Sequence, residues 1–343
     1  MKGNTLREKW CARHILHAVV ALAILICGQA IAGQTLSVPL RSRVAIPDQP
    51  GRFRVACEQQ QWDPCDTAII ICDMWDRHWC QGATERVTEL APVMDRVVSK
   101  ARDMGVLIVH APSDTIEHYK DHPARRTATE APKATNLPEA FKSWRPWKDD
   151  VEKAAGYPID HSDGGCDCVP PCKEGSPWTC QVGAIRIEDR DAISDSGVEV
   201  WNLLEASGIQ NVILMGVHTN MCVLGRPFGL RNLANAGKNV VLMRDLTDTM
   251  YNSRKPPRVS HFTGTDLVVE HVEQYVCPTT TSTVFTGEPA FRFKEDKRPL
   301  VVFLSAENEY KAVETLPDFT RELELQHGLD CEILQANTAK QGE

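Results

Sequence analysis

The alternation of short apolar runs with longer segments of helical period is the feature that most narrows what this chain can fold into. Thr67–Cys72 (TAIIIC), Val106–His110 (VLIVH), Asn211–Val217 (NVILMGV) and Asn239–Asp245 (NVVLMRD) are nearly continuous apolar runs rich in β-branched residues. Such runs suit strands covered on both faces. Between the first two, Val87, Leu90, Met94, Val97, Ala101 and Met104 recur at helical spacing and stop at Gly105, which predicts a helix over 84–104. Residues 198–207, 221–236 and 265–276 read as further helices, the first two closed by Gly208 and Gly237. Strands alternating with helices require a parallel sheet with right-handed crossovers, so the chain is expected to be an α/β three-layer sandwich around a central parallel sheet.

The flanks read differently. Residues 2–13 carry Lys2, Arg7, Lys9 and Arg13, residues 15–27 are apolar, and Ala30-Ile31-Ala32 follows. This is the order of a secretory signal over 1–32, and its apolar run is short of the ~20 residues a bilayer span needs. A secreted or periplasmic location is therefore expected, with no stable membrane span. Residues 33–64, rich in proline, are expected to be an irregular lead-in. Residues 111–182 are long, polar and rich in Pro, Trp and Cys, which marks a functional insertion within a main domain of 65–284. After a polar linker, Leu300–Leu304, Leu316–Gln326 and Cys331–Leu334 read as strand, helix, strand. This extra C-terminal βαβ unit, 298–343, is expected to be a partial second α/β domain, separable from the first, with Val301, Val302 and Leu334 exposed.

The formal charge of −8 argues against nucleic-acid binding, because no strongly basic face is expected. No GxGxxG or GxxxxGK[ST] occurs, so nucleotide phosphates have no support either. In parallel sheets ligands bind at the C-terminal ends of strands. That places weight on Cys72-Asp73, His110, Val217-His218 and Asp245. Gly216–Cys222 (GVHTNMC) leaves a buried strand and opens a helix, where a thiol feels the positive end of the helix dipole and backbone N–H groups can hold an oxyanion. Cys222 is then a candidate nucleophile and Asp73 its base, expected within about 4 Å of the sulfur. A buried structural cysteine would carry the same spacing.

Taken together, Ile69–Asp73 (IIICD), Gly216–Val223 (GVHTNMCV) and Leu242–Asp245 (LMRD) resemble the isochorismatase-like cysteine hydrolases, which include nicotinamidases, carbamoylases and isochorismatase. The resemblance covers about 65–277. It implies that Cys222 attacks a carbonyl, that Asp73 is the base, and that a cis peptide at Val217-His218 shapes an oxyanion hole completed by backbone at Met221. The family also uses a lysine, whose place falls near Asp189. No lysine stands there, and Arg190 or Arg186 are the candidate surrogates. The implied activity is cleavage of an amide C–N bond in a small molecule through a thiol-bound intermediate. A non-catalytic small-molecule-binding protein on the same fold is the alternative, as is a metal-assisted hydrolase. A homo-oligomer is expected.

No cofactor is required by this chemistry. Several nicotinamidases hold a divalent metal through Asp and His, and Asp114, His118 and His122 are the matching candidates, with Asp76 and His78 as another pair. Cys166, Cys168, Cys172 and Cys180 could bind zinc, but in an exported chain disulfides are the expectation, with Cys222 the odd free thiol. Cys57, Cys65 and Cys80 are candidates for similar pairing. Trp75, Trp79, Trp144 and Trp147 are candidates for a pocket lining or for ordinary packing. Arg298–Pro317 resembles the opening of a trehalose-utilisation-type domain, a relative of the class I glutamine amidotransferases.

Overall fold

The computed structural model describes residues 35–306 and 310–335; the export signal expected over 1–32 lies outside them. The strands are β1 (Leu36–Ala45), β2 (Phe53–Trp62), β3 (Thr67–Cys72), β4 (Leu107–Ala111), β5 (Ala192–Ile193), β6 (Asn211–Val217), β7 (Asn239–Asp248), β8 (Thr279–Thr280), β9 (Leu300–Ser305) and β10 (Asp330–Gln335). The helices used below are α1 (Gln81–Met104), α2 (Pro123–Thr129), α3 (Asp150–Ala155), α4 (Gly197–Ala206), α5 (Leu230–Asn235), α6 (His261–Tyr275), α7 (Thr283–Thr286) and α8 (Ala312–His327).

One eight-stranded sheet runs β2-β1-β8-β7-β6-β3-β4-β5. Its six strands from β8 to β5 are parallel, and β1 and β2 close one side antiparallel. The central strand β3 is buried along its whole length, as an all-apolar strand between two helical layers must be. Ile69 and Ile71 point to the layer of α1, packing with Val87, Leu90, Met94 and Val97. Ala68 and Ile70 point to the opposite layer, with Trp201 and Leu204 of α4 and Leu267 and Val268 of α6. The strict period of two in β3 and the wide apolar stripe of α1 together build this three-layer sandwich.

Three segments depart from expectation. The lead-in expected over 33–64 is not irregular where it is described, from 35 on: β1 and β2 form an antiparallel hairpin in register from Leu36↔Trp62 to Ala45↔Phe53. Leu36, Val38 and Leu40 alternate inward and are buried, a pattern interrupted in sequence by Pro39. Pro39 is tolerated because β8 is so short that it meets β1 at one residue pair, so the missing N–H breaks no ladder. The helix expected over 221–236 is divided: a π-helical turn, Thr219–Val223, is followed by an irregular bend at Pro227 before α5. Proline removes the backbone donor that a continuous helix needs. Third, β7 runs three residues past Asp245, over a bulge opposite β6.

The insertion is tied down rather than loose. Glu152 on α3 and Arg231 on α5 form a fully buried bidentate pair, with His271 of α6 at 3.0 Å from the same carboxylate. These partners outweigh burial and hold Glu152 at about 2. The tail folds as strand, helix, strand, with β9 and β10 parallel in their own two-stranded sheet. It meets the hairpin and α6 through ion pairs, Arg52–Asp318, Arg321–Glu270 and Arg298–Asp266. One face of β9 stays open, with Leu300, Val302 and Leu304 exposed and Leu334 beside them on β10; Val301 is half-buried on the α8 side with Phe303.

Candidate active site

The parallel strands β3 and β6 end side by side, Cys72 opposite Gly216. Gly216 has φ 117°, and a Cβ there would lie 2.1 Å from the Cys72 carbonyl oxygen, so only glycine lets the two strand ends approach. The next residue on β3's side, Asp73, is fully buried and held at φ 48°, a region costly for a non-glycine residue. That turn aims its carboxylate across to the segment after β6. Asp73 Oδ1 accepts from the Ser113 N–H at 2.8 Å, and Oδ2 accepts from Arg226 Nε at 3.1 Å.

The Cys222 thiol hydrogen-bonds to the same carboxylate and also meets Arg226. Cys222 lies inside the π-helical turn, a geometry that recurs at functional positions. Burial, then the Asp73 charge, pushes the Cys222 thiol well above its ordinary value. Burial likewise raises the Asp73 carboxyl, against the pull of Arg226 and Ser113. Burial works against the Arg226 charge too, but Asp73 and Cys222 outweigh it and hold the guanidinium above its ordinary value. The three side chains form a set that is neutral overall, one thiol, one carboxylate and one guanidinium, with Asp73 fully buried and Cys222 and Arg226 half-buried. Moving the proton from sulfur to Asp73 keeps that balance, because Arg226 can face either anion.

The rest of GVHTNMC builds the scaffold. Thr219 Oγ1 meets Thr247 Oγ1 at 2.7 Å and donates to the Asp248 carbonyl at 2.9 Å. Asn220 bonds the Met250 backbone through both ends of its amide. The Val217–His218 peptide is cis. The Met221 N–H is engaged with the His218 carbonyl at 3.0 Å, so this amide, expected in an oxyanion hole, is occupied within the turn. His218 is buried, which drives its imidazole well below its ordinary range, and its ring meets His78 at 4.9 Å.

His78 continues into an aromatic wall: Trp178 stacks on Trp75 at 4.5 Å and on His78 at 5.8 Å. Trp79 joins it at 5.2 Å from His78. Trp144 lies over Gly225, beside the Cys222 turn, whereas Trp147 packs on Tyr157 and Arg231. A cavity of about 280 Å³ between the tail and the body is lined by Arg41, Arg244, Phe262, Arg298 and Glu324, and it includes none of Cys222, Asp73 and Arg226.

Other expected site residues fall elsewhere. Arg186 pairs with Asp95 on the surface and Arg190 pairs with Glu188, both largely exposed, so neither stands by Asp73. Their segment is anchored instead by Asp191, which bonds the buried Arg102 and His110 and is held at about 2 by them against burial. The cation beside Asp73 is Arg226, four residues after Cys222; its place directly before Pro227 was the available signal. Asp114, His118 and His122 do not converge. Asp114 reaches the other edge of Arg226 at 3.6 Å, His118 packs on Tyr119, and His122 caps α2 by accepting from the Ala124 N–H. Asp76 accepts from Thr179, and His78 accepts from the Cys80 N–H. Asp245 accepts from Ser282 and Phe291, away from Cys222, and the strand-end carboxylate near the site is Asp248.

No disulfide joins any of the eleven cysteines of the described residues. The pairings expected among Cys166, Cys168, Cys172 and Cys180 are absent, and Cys222 is one free thiol among several.

No protein-family model and no curated protein matches the chain. Among solved structures it is similar to a cysteine hydrolase from Pseudomonas syringae pv. phaseolicola, at 16% identity over 65% of this chain and 92% of that one, with a TM-score of 0.40. It is also similar to an isochorismatase family protein from Burkholderia thailandensis, at 13% identity over 64% and 93%, TM-score 0.36. A third similar structure is N-carbamoylsarcosine amidase from Thermoplasma acidophilum, at 13% identity over 63% and 96%, TM-score 0.35.

Proposed function

We propose that this chain is an exported cysteine hydrolase that cleaves the C–N bond of a small amide through a thiol-bound intermediate. The observation that carries the reading is the neutral set of half-buried Cys222 and Arg226 around the fully buried Asp73 at the ends of β3 and β6. The resemblance of IIICD and GVHTNMCV to the isochorismatase-like cysteine hydrolases supports the same roles.

In this reading the Cys222 proton passes to Asp73 as sulfur attacks the carbonyl carbon and a C–S bond forms. Arg226 faces the sulfur and the carboxyl throughout, so no net charge is created among the three groups. Asp73 then hands its proton to the departing nitrogen, and the C–N bond breaks. Water attacks the thioester, gives a proton to Asp73, and releases the acid as Asp73 returns that proton to sulfur. The raised carboxyl of Asp73 suits a base that must take a proton from a thiol.

The test is a screen of small primary amides and N-carbamoyl compounds with the purified full chain, with Cys222→Ala as control. Turnover that vanishes in the variant, with a covalent acyl adduct on Cys222 in the unmodified enzyme, is the expected result. Ligand binding without turnover or adduct would assign the chain to the binding proteins instead.

A further inference from the structure

A second group of thiols lies outside this site. Cys80 immediately precedes α1, and Cys166, Cys168 and Cys172 come from the insertion about ninety residues later. The sulfurs of Cys80, Cys166 and Cys168 lie within 4.8 Å of one another, the one such convergence of three metal-ligating side chains among the described residues. Cys80 Sγ and Cys168 Sγ are 3.8 Å apart. Cys172 closes the group, hydrogen-bonded to both Cys166 and Cys168.

We propose that Cys80, Cys166, Cys168 and Cys172 form a structural zinc site that clamps the insertion to the start of α1. A tetrahedral ion with Zn–S near 2.3 Å has sulfur–sulfur edges of about 3.8 Å, which is the spacing of Cys80 and Cys168. Three sulfurs in mutual reach suit one ion, whereas a single disulfide among those three joins two and leaves the third unused. Four soft ligands in this arrangement select zinc over harder cations. Cys180, which the sequence grouped with these cysteines, is not part of the set; it lies with Tyr119 and Ile187.

The surroundings fit the charge such a site carries. Binding releases four thiol protons to solvent and leaves a zinc tetrathiolate with two negative charges; no electron moves. Each sulfur already receives backbone N–H groups. Gln81 donates to Cys172 at 3.4 Å and Gly82 to Cys168 at 3.3 Å, while Ala83 donates to Cys80. Cys166 receives the amides of Cys168 and Cys172. Three of these donors are the first residues of a 24-residue helix, whose dipole also favours negative charge. Arg86 stands in electrostatic reach of Cys80, and Arg254 donates to the Cys168 carbonyl at 3.3 Å. Gly82 is the residue that leaves room: a Cβ there would meet Asp167 at 3.0 Å and the Cys168 sulfur at 3.6 Å. The same loop carries Trp178 to its stack on Trp75.

The experiment is metal analysis of the full chain purified without chelator, followed by titration with a mercurial reagent and an indicator for released zinc. About one zinc per chain, released as four thiols react, is expected of a tetrathiolate site. Cobalt(II) in place of zinc should give the visible bands of a tetrahedral thiolate complex. Cys80→Ser and Cys168→Ser should lose the metal and Cys180→Ser should keep it. A metal-free chain, or a Cys80–Cys168 or Cys166–Cys172 disulfide peptide under non-reducing conditions, overturns the proposal. Iron with acid-labile sulfide overturns it as well. Should the serine variants fail to fold, titration of the unmodified protein still decides.

Discussion

Cys222 and Cys80 are both cysteines at the start of a helical segment that follows a strand of one sheet, yet their surroundings set them to different work. Cys222 faces a carboxylate and a guanidinium, groups that can exchange a proton with it and balance the charge that results. Cys80 faces the thiols of Cys166 and Cys168 and a row of backbone amides, none of which can take a proton. On the readings proposed above, the first setting suits a nucleophile and the second suits a metal ligand. Position on the fold is common to both; chemistry comes from what the rest of the chain brings alongside.

The strongest way to break this contrast is to remove the proposed nucleophile. Cys222→Ala should lower turnover of the substrate found by screening by about 10⁴-fold, the scale seen when an acting nucleophile is deleted, while the metal content stays as it was. A variant with full turnover would place the chemistry elsewhere.

Next in size is the cation. Arg226→Met should cost about 10²–10³-fold in kcat/KM, comparable to losing one preorganised charge partner. It also leaves Asp73 buried without its ion pair, so iodoacetamide labelling of Cys222 should shift to higher pH. Arg226→Lys should recover part of the rate, since it restores the charge without the fork geometry. An unchanged labelling profile in Arg226→Met would show that Arg226 only packs.

A smaller effect tests the network between the two thiol sites. Arg86 joins Asp167, beside Cys168, to Asp248, whose carbonyl accepts from Thr219. His261 bonds both carboxylates, and although burial opposes its charge, Asp248 and Asp167 raise it to about 9. A histidine raised in the folded state stabilises fully below its unfolded value of about 6.5, and that contribution is lost as pH climbs through about 9. Melting temperature should therefore fall across that window, by an amount on the order of 3 kcal/mol in stability. His261→Gln should flatten the curve, and a parallel fall in both proteins would remove His261 from the account.

The smallest expected effect is that of Cys180→Ser, half-buried and outside both thiol groups. Turnover, zinc content and labelling of Cys222 should all hold, with stability changed by no more than about 0.5 kcal/mol. A loss of metal would redraw the ligand set around Cys180.

Much of this was legible in the chain. Apolar runs and the stripe of α1 marked β3, β4, β6, β7 and the sandwich, because a period of two or 3.6 is written in neighbouring residues. Asp73 and Cys222 were legible too, since each directly follows a strand and ligands gather where strands end. The hairpin of β1 and β2 was hidden by Pro39, whose missing donor matters only if a neighbouring strand needs it.

What tertiary structure alone decided is which distant groups meet. Arg226 rather than Arg186 or Arg190 stands by Asp73, because Pro227 breaks the helix and turns the guanidinium inward, while Asp95 and Glu188 hold the other two at the surface. Cys80 rather than Cys180 completes the thiol group, because the insertion folds back onto the start of α1. The chain's local periods determined the central strands, α1 and the positions of Asp73 and Cys222 after β3 and β6. The cation and the fourth thiol depend on contacts across long loops, where spacing along the chain carries no distance in space.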